Sequence, residues 1–289
     1  MPITLIDRAA AWREHLDACR AKGLQVGLVP TMGALHAGHM SLIRRAAGEC
    51  DVVAVTDYVN PLQFGPAEDL TAYPRDLDGD CRLAEEAGAS VLFAPSPEEM
   101  WPVAPTTTVR VEGLTERMEG ASRPGHFEGV ATIVAKLFSL SGPCWAYFGE
   151  KDFQQLAVVR RMVTDLSLPV EVVGCPTVRD ADGLALSSRN AYLSAAERAV
   201  APRLFWALLA GKRAVEDDRV VDPARVEVVM AASVAEHPAL ELDYAEVADP
   251  ETLERPARIE GPVRLLIAAR LGAARLIDNV EANPPTRAD

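Results

Sequence analysis

The sequence predicts an α/β protein: a doubly wound parallel sheet followed by a smaller α+β domain. Three observations carry this. Apolar, β-branched runs alternate with helical stretches from residue 25 to residue 173. Several of these runs stop at a proline, as strands leaving a sheet do. Past about Thr177 the order changes to two helices followed by strands. At roughly 150 residues per domain, 289 residues divide into two, set here at 1–177 and 178–289.

In chain order, the first 20 residues read as a short strand and a helix, and they lack the basic and apolar regions of a signal peptide. Residues 25–31 form an apolar run halted at Pro30, and a helical pattern covers 39–47. Residues 51–59 repeat the apolar run and stop before Pro61. A helix at 78–87 and a short strand at 90–93, ended by Pro95, follow. The alternation continues with a helix at 129–140, a strand at 145–148, a helix at 153–166 and a strand at 170–173. Strands this uniformly apolar belong to a parallel sheet covered on both faces. In the second domain, 195–214 and 223–235 read as helices, and 242–248, 263–269 and 274–280 as strands. The tail 283–289 reads as frayed.

Composition excludes several classes. No window approaches the ~18 continuous apolar residues of a membrane span. The five cysteines (Cys19, Cys50, Cys81, Cys144 and Cys175) are odd in number and contain no Cys-x-x-Cys pair. They read as free thiols of a cytoplasmic protein, with neither a disulfide framework nor a metal site. A net charge of −13 repels nucleic acid, which demands clustered Lys and Arg. A local group of cations still suffices to hold one triphosphate.

Four segments carry chemistry. Pro30-Thr31-Met32-Gly33-Ala34-Leu35-His36-Ala37-Gly38-His39 lies where a strand turns into a helix. His36 and His39, three apart, share one side of the first turn. Gly38 admits close approach, and the helix N-terminus favours phosphate. Two imidazoles there are suited to stabilise charge moving onto phosphate oxygens. The competing view is a pair of incidental histidines. Gly183-Leu184-Ala185-Leu186-Ser187-Ser188-Arg189-Asn190 offers two hydroxyls and a guanidinium for a triphosphate tail, or is simply a helix cap. Phe148-Gly149-Glu150-Lys151-Asp152-Phe153-Gln154-Gln155 offers Lys151 to phosphate and Asp152 to ribose, or is a Lys-Asp pair capping a helix. Tyr58-Val59-Asn60-Pro61-Leu62-Gln63-Phe64 offers neutral amides to a hydroxylated acid, or is a turn. Three of these segments sit at strand ends, where doubly wound sheets bind ligands.

Together the four segments resemble the pantothenate synthetase (pantoate–β-alanine ligase) family. Tyr73-Pro74-Arg75, Glu119-Gly120-Ala121-Ser122-Arg123-Pro124-Gly125-His126-Phe127 and Ala274-Arg275-Leu276-Ile277-Asp278-Asn279 extend the likeness from about Gly27 to Asn279. His-x-Gly-His alone is shared with nucleotidylyltransferases and class I aminoacyl-tRNA synthetases; the ordered set is specific.

The resemblance implies a Rossmann-like first domain, a smaller second domain that closes over the site, and a homodimer. It implies that pantoate attacks the α-phosphate of ATP, that pyrophosphate leaves, and that β-alanine then displaces AMP from pantoyl-adenylate. His36, His39 and Lys151 would be catalytic. ATP would meet Thr31, Met32, Gly38, His39, Gly149, Lys151, Asp152, Val178, Leu186, Ser187, Ser188 and Arg189. The acid would meet Met32, Tyr58, Asn60, Gln63 and Gln155. Mg²⁺ would ride on the phosphates, with no protein metal site. Residues 66–79 would form a mobile flap.

Two positions depart from the family's habit. Asp57 stands where an apolar residue is usual, beside Tyr58 in place of Phe, and Cys144 stands where Asp is common. A carboxylate inside an apolar strand is costly unless paired or protonated. Either Asp57 points away from the site and is met by an Arg, a His or a backbone N–H, or it reshapes the pocket for another acid or amine. Two alternatives remain: a nucleotidylyltransferase, disfavoured because Asn60, Gln63 and Gln155 are neutral where an acceptor phosphate would want cations, and a non-catalytic nucleotide-binding paralogue, disfavoured because both histidines, Lys151 and Arg189 are kept.

Overall fold

The computed structural model describes residues 2–65, 70–71 and 73–285. The chain divides into two compact units, Met1–Glu150 with Gln155–Pro176, and Lys151–Gln154 with Thr177–Asp289. Lys151 and Asp152, expected in the first domain, thus group with the second.

The first unit contains β1 (Thr4–Ile6), α1 (Ala9–Ala21), β2 (Val26–Thr31), α2 (Ala37–Glu49), β3 (Val52–Asp57) and a 3₁₀ turn at Pro61–Gln63. It continues with α3 (Leu77–Ala87), β4 (Val91–Phe93), the short α4 (Pro97–Met100) and α5 (Glu119–Ser122), α6 (His126–Ser141) and β5 (Cys144–Gly149). It ends with α7 (Phe153–Asp165), whose first two residues count with the second unit, and β6 (Val170–Cys175). The six strands run parallel in the order β1-β4-β3-β2-β5-β6. From β2 the chain steps outward on one side, then returns to add β5 and β6 on the other. The order therefore reverses between β2 and β5, and the crevice at their carboxyl ends is the expected ligand position.

Alternation along the strands sends side chains to two cores. Val52, Ala54 and Tyr58 join Trp12, Leu16, Ile133, Phe138 and Leu156 on the α1–α6–α7 face. Val53 and Val55 join Ile43, Ala46, Ala84 and Leu92 on the α2–α3 face. Residues 57 and 58 thus belong to opposite faces.

The second unit holds a 3₁₀ helix at Ser188–Tyr192, α8 (Ala195–Val200), α9 (Arg203–Glu216), α10 (Pro223–Ala235), and the strands β7 (Glu241–Ala248), β8 (Val263–Leu271) and β9 (Ala274–Ala282). The strands form an antiparallel sheet, β7-β8-β9. Leu204, Leu208 and Met230 pack on Leu265 and Ile267 to make its core. The doubly wound sheet and the smaller α+β unit are the predicted fold class.

One expected element is corrected. The single helix expected at 195–214 is two, because Pro202 stands at the N-cap of α9 and has no N–H to continue α8. Ser194 and Glu197 start α8 with a reciprocal capping box. Boundaries also moved: α2 begins at Ala37 and α6 at His126, two and three residues earlier than expected. Of the expected flap, residues 66–69 and 72 lie outside the described residues, as do 286–289 of the tail. Tyr73 is buried against Phe64 in an edge-on contact. Among the described residues no helix is long and apolar enough to cross a membrane, and all five cysteines are free thiols.

Candidate active site

The histidine-bearing turn follows β2. Thr31 anchors it: its hydroxyl donates to the Thr56 carbonyl at 2.6 Å and accepts from Gly33 N–H at 3.2 Å. Gly33 (φ +81°) and Ala34 (φ +51°) are both left-handed. Glycine takes that conformation freely; alanine does so at a cost of roughly 1 kcal/mol, so the turn has to be held. His36 then caps α2, its Nδ1 accepting from Gly38 N–H at 3.1 Å. An imidazole that accepts at Nδ1 is the neutral tautomer with hydrogen on Nε2. His39 lies one turn on, the two ring centroids 4.1 Å apart. The two rings, tilted by 37° to each other, therefore sit together at a helix start, on one side as their spacing implied. Thr31 is buried and its hydroxyl is engaged within the sheet.

What holds the turn is a buried carboxyl in α3. Asp80 accepts from Ala34 N–H at 2.8 Å and from Leu35 N–H at 2.7 Å. Against it stands Asp57, at the end of β3 and in register with Thr31. A Cβ added at Gly33 would lie 2.3 Å from Asp57 Oδ1 and 3.0 Å from Asp80 Oδ2, so the two carboxyls close on the same backbone atom. Burial, then the charge of Asp80 and a hydrogen bond to it, push the Asp57 carboxyl up to about 7. Asp57 does point away from Tyr58 and its face, but what meets it is another acid, where an Arg, a His or a backbone N–H was expected.

On the α6 face the end of β3 is followed by neutral amides, with His126 and Arg123 behind them. Asn60 is buried, caps the 3₁₀ turn through Leu62 N–H (3.3 Å), and donates to the Gly129 carbonyl (3.2 Å) and to Gln63 Oε1 (3.1 Å). With Gln63 Oε1 occupied, its amide NH₂ is the end that offers hydrogen bonds outward. A Cβ at Gly129 would lie 2.1 Å from the Leu62 carbonyl oxygen, so α6 presses directly on the cradle's backbone. His126 Nδ1 lies 2.9 Å from the Gln63 carbonyl and its Nε2 lies 2.9 Å from Arg123 Nη1. Tyr58 is buried, and burial raises its hydroxyl's pKa. Met32 and Gln155 are half-buried. At Gly149, which ends β5, an added Cβ would meet nothing within 4 Å; no neighbouring protein atom requires glycine there.

In the second unit, Lys151 and Asp152 pair at 3.7 Å. The Lys151 carbonyl accepts from Asn279 Nδ2 at 2.9 Å, and Asn279 Oδ1 accepts from Arg264 at 3.3 Å. Arg179 grips Asp278 bidentately at 2.5 and 2.8 Å and also donates to the Asn279 carbonyl. Burial pushes the Asp278 carboxyl up and Arg179 opposes that push. Val178 and Leu186 join through Leu186 N–H to the Val178 carbonyl at 3.0 Å, closing a small hairpin across the Arg179–Ala185 bridge. Ser187 accepts from Arg189 N–H at 3.3 Å and so caps the 3₁₀ helix carrying Ser188 and Arg189. The cap expected as the alternative to phosphate binding is real, and it leaves the hydroxyl hydrogen free to donate elsewhere.

Reasoning from sequence missed the supports. Asp80, Gly129, Arg123, His126, Arg179 and Asn279 hold the expected residues in place, yet none was given a role. Three of them were visible within family-like segments; Asp80 carried no signal beyond being an acid in a helix's first turn.

A family model described as pantoate-beta-alanine ligase matches residues 4–281. The pantothenate synthetase of Acidobacterium capsulatum is 53% identical over 287 residues, 96% of this chain and 95% of that protein. That of Moorella thermoacetica is 49% identical over 276 residues, 96% of this chain and 97% of that one. The crystal structure of pantothenate synthetase from Thermus thermophilus superposes with a TM-score of 0.92 at 49% identity, covering 98% of this chain and 100% of that one. Pantoate-beta-alanine ligase from Francisella tularensis, complexed with beta-gamma ATP and β-alanine, gives 0.80 at 30% identity, covering 96% and 97%.

Proposed function

Since this chain belongs to the pantoate–β-alanine ligase family, we propose that its histidine turn and the basic residues of its second unit act on one ATP while the Asn60–Gln63 cradle holds pantoate. The enzyme is an ATP-dependent, amide-forming ligase that makes pantothenate. In the proposed course a pantoate carboxylate oxygen attacks the α-phosphorus, the bond to the bridging oxygen breaks, and pyrophosphate leaves. The amine of β-alanine then attacks the acyl carbon of pantoyl-adenylate and AMP leaves.

The observation that supports this best is the fixed tautomer of His36. With Nδ1 accepting from Gly38 N–H, Nε2–H is a preset donor at the helix N-terminus, the place where phosphate charge is stabilised. His39 lies beside it, ring tilted against ring. Lys151, Ser187, Ser188 and Arg189 are assigned to the phosphate tail, Lys151 being steadied by Asn279. Gly149, with open space over its Cα, and Asp152 are assigned to the ribose. Thr31, Gly38, Val178 and Leu186 contribute backbone to the ATP site. Gln63 donates through its amide to pantoate, opposite Gln155, with Met32 and Tyr58 as walls.

No protein nucleophile is needed; the residues position substrates and stabilise charge. Mg²⁺ would ride on the nucleotide and offset phosphate charge there. A homodimer and a cytoplasmic location complete the proposal. Asp57 lies with Asp80 against Gly33 while Tyr58 joins the opposite core, which supports pantoate over another acid.

The test is isotopic. Pantoate labelled with ¹⁸O in its carboxylate, incubated with β-alanine and MgATP, is expected to deliver one label to AMP. Label in inorganic phosphate, with ADP as product, would mean attack on the γ-phosphorus and would overturn the adenylate route.

A further inference from the structure

The acids at positions 57 and 80 have no part in the chemistry above, yet they touch the turn that carries it. We propose that Asp57 and Asp80 are positioning residues, an acid pair sharing one proton, which seats the 33–35 turn and with it His36, and which loosens that turn when the shared proton is lost. The proposal rests on the assignment of His36 to ATP made above.

Four observations carry it. Asp80 is 3% exposed and accepts both Ala34 and Leu35 N–H groups. Asp57 and Asp80 both crowd the Cα of Gly33. Gly33 and Ala34 are left-handed in succession, so the turn needs an external hold. His36 is the first residue past that hold and the cap of α2, so a shift at 34–35 moves the ring directly.

The proton's place follows from the hydrogen bonds. Asp80 already accepts two N–H groups and lies in the first turn of α3, where the helix dipole favours negative charge. Asp57 is therefore the protonated member, its O–H donating to the Asp80 carboxylate. When that proton goes to water, two anions face each other over one turn of backbone, and the relief available is movement of Asp57 or of the turn.

The surroundings do not offset the second charge. From α3 come Asp78, the Cys81 thiol and Glu85; Asp57, Asp78, Asp80 and Glu85 all push that thiol's pKa up, behind burial. Asp76, ahead of α3, caps it at Gly79 N–H. The turn from β2 presents backbone and, at its end, the His36 imidazole. Thr56 and Thr31 in the sheet bond to each other. On α2, the Arg45 guanidinium is bound to Glu49 and the Gly174 carbonyl. The influences that set the Asp57 carboxyl are burial and Asp80, both favouring the protonated form.

The experiment uses the whole enzyme, with aspartate ¹³C-labelled at the side-chain carboxyl, titrated by NMR from pH 5 to 9. Amide exchange at Ala34 and Leu35 and steady-state kcat are followed in parallel, in wild type and Asp57→Asn. Expected in wild type are one carboxyl titrating in the neutral range, exchange at both amides rising above the intrinsic pH trend past that midpoint, and kcat for adenylate formation declining there. Asp57→Asn keeps a donor to Asp80 at every pH, so the resonance vanishes, the exchange step disappears and the decline in kcat flattens, with KM for β-alanine unchanged. Every aspartate titrating below pH 5.5 in wild type, a result that needs no variant to fold, would overturn the shared proton. An exchange step with superimposable kcat profiles for the two proteins would overturn the pair's link to the reaction, while the role of His36 stands or falls separately with the turnover of His36→Ala.

Discussion

The two sides of β3's carboxyl end are built on opposite electrostatic plans. Toward α6, Asn60, Gln63 and the Gly129 carbonyl form a neutral network whose donors and acceptors match. Toward α3, Asp57 and Asp80 put two acids against one turn. Adjacent residues, Asp57 and Tyr58, enter these two environments because successive strand side chains face opposite ways. Asn60, Gln63 and the Gly129 carbonyl carry no group that titrates near neutral pH. The acid side holds its turn only while one proton is retained.

Three perturbations probe this contrast. The largest effect is expected from His39→Ala, which strips the turn of one imidazole without touching either support. Turnover should fall by about 10²–10⁴-fold with the melting temperature nearly unchanged, measured by product formation and calorimetry. Unchanged turnover would show that the turn which Asp80 steadies is not where catalysis happens. Next comes Gly129→Ala on the neutral side. Its methyl would meet the Leu62 carbonyl, so the cradle must shift at a cost of about 1–3 kcal/mol. KM for pantoate should rise while its pH dependence keeps its shape; a new pH dependence would mean the two sides are not separate.

The smallest effect is on stability in Asp57→Asn. The native chain holds a proton on Asp57 up to about 7, well above the ordinary value of 3.8. Between those limits the folded state binds a proton that the unfolded chain has released, so wild-type stability falls as pH rises through that window and stays lower above it. The amide has no such loss. The variant should therefore match wild type near pH 4 and exceed it by about 1–3 kcal/mol at pH 8, read from urea unfolding at both values. A constant difference across the range would mean that Asp57 ionises alike in both states.

Much of the fold was legible because strands buried on both faces write continuous apolar runs, and because Pro30, Pro61 and Pro95 punctuate their ends. The 195–214 stretch misled because its apolar periodicity continues across Pro202; only the missing N–H breaks it. The candidate site was legible only as residue types at strand ends: His36 with His39, Asn60 with Gln63, and Lys151 with Asp152 are each neighbours in space. Their supports were not. Asp80 is 44 positions from His36, and nothing local marks it as the acceptor for a distant turn. Asp57 was visible as an anomaly, but its partner had to come from a helix whose approach no periodicity encodes. Arg179 and Asn279 lie about 100 positions apart and meet only once β9 is in place.

The tautomer of His36 has a consequence for the second half of the reaction. A ring whose Nδ1 is committed to Gly38 N–H gives hydrogen bonds outward and takes up no proton there. β-Alanine arrives in water chiefly as an ammonium ion, which has no lone pair for the acyl carbon. It must shed its proton to some other acceptor, or be drawn from the small unprotonated fraction that grows with alkalinity. Acyl activation and amide formation would then respond to pH in opposite directions, and the best working pH of this enzyme would be a compromise between its two half-reactions.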